Sequence, residues 1–208
     1  AHGPRAWTAL PEDSGVSDDG SDGGVFFDRG VPASSWSLTV SRADGTNALR
    51  VTTVPAEALG GRVRIAATDH GVQEGARSFA IAAHAQGAAL ELSTFDPIDL
   101  SRETNGDMLL LATVRRDAPI ARPLSMSVRC DGEPCGAAVP IAEFGELAEG
   151  EWQTLGVPLK CFRAAGADMT RISSPFRLMA DGDAGLSIAR VALGSLSDAD
   201  AIADCPTG

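Results

Sequence analysis

Tyrosine is missing from these 208 residues. The aromatic side chains are seven phenylalanines and three tryptophans, and only Trp36 and Trp152 stand in the body of the chain. A surface that needs a flat apolar face with a polar edge therefore has few residues to draw on. Histidine is scarce as well: His2, His70 and His84 have no cysteine or acid at metal-ligand spacing. Gly-x-Ser-x-Gly and His-Glu-x-x-His are absent, and no glycine-rich loop follows a strand pattern, so the usual hydrolase, zinc-protease and phosphate-cradle signatures are not here. Paired carboxylates could serve glycoside chemistry, but in so acidic a chain such pairs occur everywhere and signal nothing. The longest apolar run, Met108 to Val114, is far shorter than the ~20 residues a spanning helix needs. No segment repeats at a fixed period, and Ala1 onward lacks the basic start and apolar core of a signal peptide, so we expect export completed earlier or an excerpt of a longer chain.

Positive charge is also short. Lys and Arg total 17 against 28 Asp and Glu, a formal net charge of −11. A chain this acidic repels phosphate backbones and anionic lipid, so neither nucleic acid nor membrane is expected as a partner. Arg62 and Arg64 read as the outward face of a strand and Arg115-Arg116 as a strand end, not as a basic patch.

The four cysteines are an even number. In "CDGEPC" the turn-forming Asp-Gly-Glu-Pro can bring Cys130 and Cys135 together, which leaves Cys161 to staple the body to Cys205 near the end. Zinc is the rival reading, but the spacing is poor for a tetrahedral site. Disulfides imply an oxidising compartment, periplasmic or extracellular. "DDGSDGG" resembles the start of a calcium loop and fails at its third position, Gly20, and at its last, Arg29. No metal or cofactor is required, although hard oxygen donors are plentiful enough for a structural calcium.

Residues 1–23 read as a leader: "PEDSGVSDDGSDGG" is acidic, rich in Gly and Ser, and without apolar period, and "RAWTAL" ahead of it leaves Trp7 without an evident surface. From residue 24 to 208 short alternating segments follow one another between Gly, Pro, Asp and Asn. Strands are expected near Val25–Asp28, Trp36–Val40, Leu49–Thr53, Arg62–Thr68, Arg77–Ala82, Ala89–Ser93, Met108–Arg115, Leu124–Cys130, Trp152–Leu159, Phe176–Ala180 and Leu186–Leu193. Only "PIAEFGEL", from Pro140, and the shorter "CFRAAGADM" look helical. Many short strands with one or two short helices predict an all-β protein, an antiparallel jelly-roll β-sandwich.

A sugar-binding surface stacks an aromatic face on pyranose C–H groups and holds hydroxyls with carboxylates, amides and guanidinium groups. In "GEWQTLGVPLKCF" the residues Leu155, Val157, Leu159 and Cys161 share one parity, and Trp152 falls on the other with Thr154, Gly156 and Pro158. That parity allows a platform, although large aromatics also finish the ends of cores, which is the simpler expectation. Trp36 shares the parity of Leu38 and Val40, which favours the core. "DHGVQEGAR" reads as a loop that gathers Asp69, Gln73, Glu74 and Arg77, either as hydroxyl partners or as a solvated turn.

The stretches "FFDRGVPASSWSL", "DHGVQEGARSF", "PIDLSRETNGDMLLLATVR", "MSVRCDGEPCG", "GEWQTLGVPLKCF", "AGADMTRISSPFRL" and "LSIARVAL" together resemble the C-terminal domain of periplasmic or secreted family 3 glycoside hydrolases of the β-glucosidase and glucan glucohydrolase type. The resemblance runs from about Val25 to Leu193 and implies a galactose-binding-like β-sandwich. That family's catalytic aspartate and acid belong to preceding modules, and no motif here matches them, so the resemblance implies a non-catalytic accessory domain. Its role would be to bind β-glucan or another plant or algal oligosaccharide, with Trp36, Trp152, Gln73, Glu74 and Arg77 as candidate contacts. The alternative is a structural domain that packs on the catalytic modules of its parent chain.

Overall fold

The structure, a computed structural model, describes residues 24–82, 87–130 and 135–205. The expected leader with His2 and Trp7, His84, and residues 131–134 lie outside the described residues. The chain runs β1 Val25–Asp28, β2 Val31–Pro32, β3 Ser37–Ser41, β4 Leu49–Arg50, β5 Ala56–Ala58, β6 Val63–His70, β7 Val72–Ile81, β8 Ala88–Ser93, α1 Ser101–Asn105, β9 Leu109–Ala118, β10 Leu124–Cys130, β11 Ala137–Ile141, α2 Glu143–Glu146, β12 Trp152–Pro158, α3 Leu159–Ala164, β13 Ile172–Ala180, β14 Ala184–Gly194 and β15 Ala201–Ile202, with a 3₁₀ turn at Leu196–Asp198.

These elements make two sheets. The larger has the order β15-β12-β9-β14-β7-β6-β5, with β1 on β14 and β2 on β1; the smaller has the order β11-β10-β13-β8-β3-β4. Every pairing is antiparallel except β12 with β15. One face of each sheet is apolar because the strands alternate. Leu155 and Val157 of β12 and Leu110 and Ala112 of β9 meet Leu90 and Leu92 of β8 and Phe176 and Leu178 of β13 in one core. The expected β-sandwich is the observed architecture.

Phenylalanine fills that core in place of tyrosine. Phe26, Phe27, Phe79, Phe144, Phe162 and Phe176 are fully buried, and the seventh, Phe95, is 96% exposed. A buried tyrosine hydroxyl would need a hydrogen-bond partner, whereas phenylalanine imposes no such demand.

Three α-helices are present among the described residues, where one or two were expected. The additional one, α1, is a single turn after Asp99, whose carboxylate accepts from the Ser101 N–H and hydroxyl. The expected helix from Pro140 is shorter than its apolar spacing suggests: Pro140 and Ile141 close β11, and only Glu143–Glu146 is helical. Likewise Leu159 is not the end of β12 but the start of α3, which follows Pro158 and carries Cys161 as the helical reading of "CFRAAGADM" expected.

Both disulfides form as the spacing predicts, Cys130–Cys135 and Cys161–Cys205, with Cα separations of 5.6 and 5.9 Å. No cysteine is left free for zinc. Among the described residues no group of three or more His, Cys, Asp or Glu could hold a metal ion, and no helix is long and apolar enough to cross a membrane.

Candidate functional site

Trp152 stands on the outward face of the larger sheet, since Leu155 and Val157 take the inward parity. Directly across from it on β9 is Arg115, and one row along, Thr154 faces Thr113. The Arg115 guanidinium lies over the Trp152 ring, 5.0 Å from its centroid, a cation–π contact. Thr113 and Thr154 share a hydrogen bond of 3.0 Å between their hydroxyls.

Arg115 is held by three strands at once. Its Nε donates to Asp117 Oδ1 at 2.6 Å, and its Nη2 donates to Ser187 Oγ at 3.2 Å and to Thr68 Oγ1 at 3.1 Å. The last bond is unusual in its reach. Thr68 is on β6, three steps from β9 in the sheet order, which is about 14 Å in a flat sheet. The hairpin of β6 and β7 therefore curls over the outward face. It is free to do so because β7 pairs with β14 only as far as Arg77 opposite Ile188; beyond that β1 takes the same edge of β14. The register shift between Thr68 and His70, with Glu74 at φ 56°, completes the bend. His70 arrives edge-on against Trp152 at 4.5 Å between ring centroids.

Next to this cluster is a pocket of about 380 Å³ lined by Leu111, Thr113, Thr154, Arg190, Ala192 and Asp198. Its floor is apolar and its walls are hydroxyl, guanidinium and carboxylate groups. Asp198 reaches it from the C-terminal turn, where its Oδ2 accepts from the Ser195 N–H and hydroxyl, bonds that hold its carboxyl below the usual carboxylate range. Paired hydroxyls and one group of each charge around a hollow, with Trp152 on the same sheet face beside it, are what a polyhydroxylated ligand uses.

The five residues singled out in the sequence divide between different places. Trp152 is at this site. Gln73 and Glu74 are exposed at the tip of the hairpin that carries Thr68 and His70, with the Glu74 N–H donating to Asp69 Oδ1 at 2.9 Å. "DHGVQEGAR" is thus a strand pair with a tight turn at Gly71, not an open loop. Arg77 shares the parity of Phe79 and Ile81, on the core side of β7, and its Nη1 donates to the Ala76 carbonyl. Trp36 packs against the core, edge-on to Phe26 at 4.7 Å. The sequence reading missed Arg115, His70, Thr113, Thr154, Arg190 and Asp198, because strand register and the curled hairpin bring them together.

The outward face of the smaller sheet is polar too. One row crosses all six strands: Ala138, Ser127, Arg177, Glu91, Thr39 and Arg50. Arg177 is buried there, and burial lowers its proton affinity while Glu91 raises it.

The fold is a two-sheet β-sandwich of the galactose-binding-like kind, with polar side chains clustered on both outward faces. The chain belongs to the Exop_C family, described as galactose-binding domain-like, whose match covers residues 34–193. No curated protein matches the chain. Among solved structures it is similar to the extra C-terminal domain (X) of the exo-1,3/1,4-β-glucanase ExoP from a Pseudoalteromonas species, with 21% identity and TM-score 0.67, over 86% of this chain and 96% of that one. Against the ExoP structure with the longer chain the identity is 22% and the TM-score 0.67, and the match spans 86% of this chain and 21% of that one. A family 30 carbohydrate-binding module of a Clostridium thermocellum cellulosomal cellulase is similar at TM-score 0.57 and 12% identity, over 83% and 96% of the two chains.

Proposed function

We propose that this domain is a non-catalytic accessory module that binds β-glucan-type sugar for a family 3 glycoside hydrolase, in the periplasm or outside the cell. The observation that carries the reading is the Trp152 face, where an outward tryptophan with Arg115 and His70 adjoins a polar pocket of about 380 Å³. Thr113, Thr154 and Asp198 hold sugar hydroxyls, Trp152 meets the C–H face or edge of a ring, and the hairpin tip with Gln73 and Glu74 flanks the entrance. The likeness to ExoP, a glucanase that carries a related fold, supports the choice of sugar class. The module needs no cofactor, and its −11 charge turns it from nucleic acid and anionic membranes.

The test is calorimetry of the domain against laminarin, barley glucan and cello-oligosaccharides. We expect binding to at least one, reduced at least tenfold in Trp152→Ala and in Asp198→Ala. Absence of heat on all of them, together with no retardation in glucan-loaded gels, sinks the proposal. A second reading, a domain that packs on catalytic modules and binds no sugar, is favoured by Phe95, a phenylalanine 96% exposed on a loop pinned to β13 by the Thr94 N–H to Ser173 carbonyl bond of 2.9 Å. Deleting the domain from its parent enzyme without loss of stability or activity defeats that one.

A further inference from the structure

The smaller sheet holds a second hollow, on the opposite side of the sandwich from Trp152. It measures about 440 Å³ and is walled by Ser127, Arg129, Gly136, Ala138, Arg177 and Met179, with the Cys130–Cys135 disulfide at its rim. No aromatic ring lines it, so it gives a neutral pyranose nothing to stack on. What it has is positive charge. The Arg177 side chain is 8% exposed, and its Nε is buried without a hydrogen-bond partner. Arg129 is half-exposed and, among the described residues, engages Glu91 through Nη1 alone.

Glu91 orients both arginines without occupying the hollow. It stands on β8, across β13 from β10, and is not among the lining residues. Among the described residues the charged groups that line the hollow are two guanidiniums, and the carboxylates that act on Arg177, Glu91 and Asp44, stand outside that lining, in a chain whose total charge is −11. Guanidinium forks match oxyanions in two-point geometry, where a neutral hydroxyl takes only one bond. The floor residues Ser127, Gly136 and Ala138 are small and leave room for a ring behind the charged group.

We propose that this hollow is a subsite for an acidic sugar, whose carboxylate or sulfate oxygens are received by Arg129, with Arg177 fixing the positive field behind it and Ser127 bonding a hydroxyl. The subsite is independent of the Trp152 face and does not need that face to bind glucan. A single module could then contact a neutral chain on one side and an acidic one on the other, which suits a wall polymer mixture.

The experiment is a ¹⁵N–¹H titration of the intact domain with trigalacturonate, galactose 6-sulfate and cellotriose. The expected result is that one or both acidic probes shift the amides of Ser127, Arg129, Gly136 and Ala138, and that cellotriose leaves them in place. A response to trigalacturonate alone assigns a uronate, to the sulfate alone a sulfate ester, and to both an oxyanion of either kind. Arg129→Gln should weaken the acidic probe at least tenfold, and so should Ala138→Glu, an exposed position where the new charge repels the ligand. Trp152→Ala should not alter it. Silence of these amides toward both acidic probes overturns the proposal, as does an equal response to cellotriose or full affinity in both variants. Shifts confined to Thr113, Thr154 and His70 would reject this subsite and leave the Trp152 reading standing.

Discussion

Replacing Cys161 and Cys205 by alanine removes the longer of the two covalent loops, and its cost follows from loop length. The bridged residues are 44 apart in sequence, against 5 for Cys130 and Cys135. In the chain-entropy treatment the longer link stabilises by about 4 kcal/mol and the shorter by about 2. The native contacts of the tail act in the same place: the Ala203 N–H bonds the Gly156 carbonyl, and the Asp200 N–H bonds the Thr154 carbonyl, each at 2.8 Å, while Asp200 Oδ2 accepts from the Thr154 N–H at 2.8 Å. Those bonds hold β15 beside β12 and keep Asp198 at the pocket. Urea unfolding of C161A/C205A and of C130A/C135A, each against the parent domain, should show the first pair losing roughly twice as much stability as the second. Glucan affinity should fall in the first pair and hold in the second. Equal losses from the two pairs would refute the loop-length reasoning. A large loss in C161A/C205A with unchanged glucan affinity would show that the tail does not wall the site.

Gly30→Ala should destabilise by about 1–3 kcal/mol, because Gly30 sits at φ +78° and an added Cβ would lie 2.9 Å from the Ala76 carbonyl carbon, backbone that cannot swing away; an unchanged melting temperature contradicts this. Acid sensitivity has a local source. Asp44, Asp99 and Asp168 each accept from the side-chain hydroxyl and the backbone N–H of Thr46, Ser101 and Thr170, and these bonds hold their carboxyls below the ordinary value of 3.8. A lowered folded pKa means stability that is present above the unfolded pKa and is lost as pH falls through the folded one. The triple Asp→Asn variant keeps an acceptor oxygen at each turn but cannot titrate, so its stability should fall less steeply below about pH 4; an acid limb identical to the parent's rules the idea out.

The sheets were legible because alternation is a local property. The β12 parity alone separates Leu155 and Val157 from Trp152, and the same reading works in β9, β10 and β13. Two-residue strands such as β2 and β15, and the three-residue β5, carry too little sequence to show any period. Their existence rests on partners far along the chain. The site shows the same division more sharply. That Trp152 faces outward can be read from its neighbours. That Arg115 covers it depends on the register of β9 with β12, and that His70 reaches it depends on β1 displacing the end of β7 from β14, neither of which a local pattern encodes. The Arg177–Glu91–Ser127 row is likewise built from three distant segments that meet only through sheet order. Trp36 illustrates the limit from the other side: its parity pointed to the core, and its ring lies against Phe26.

What the outward faces can bind is set by how much of each side chain the fold has already engaged. The Arg115 guanidinium covers one side of Trp152, and His70 stands against the ring edge-on, so the tryptophan does not present two free faces to a long polymer chain. Its accessible part adjoins Thr154 and the pocket of about 380 Å³, toward the lower end of the ~300–1,000 Å³ range of small-ligand sites. On the proposed reading, a pocket of that size, with Asp198 and Arg190 in its lining, suits the terminal unit of a glucan better than a run of internal ones. The Arg115 network sharpens the point, since Asp117, Ser187 and Thr68 engage its Nε and Nη2 and hold the guanidinium in place before any sugar arrives. On this geometry chain-end oligosaccharides should bind about as tightly as the polysaccharides that contain them, and lengthening a cello-oligosaccharide past two or three units should gain little affinity. A steady rise in affinity with chain length up to five or six units would instead demand an open, extended platform, which the Arg115 and His70 contacts do not leave.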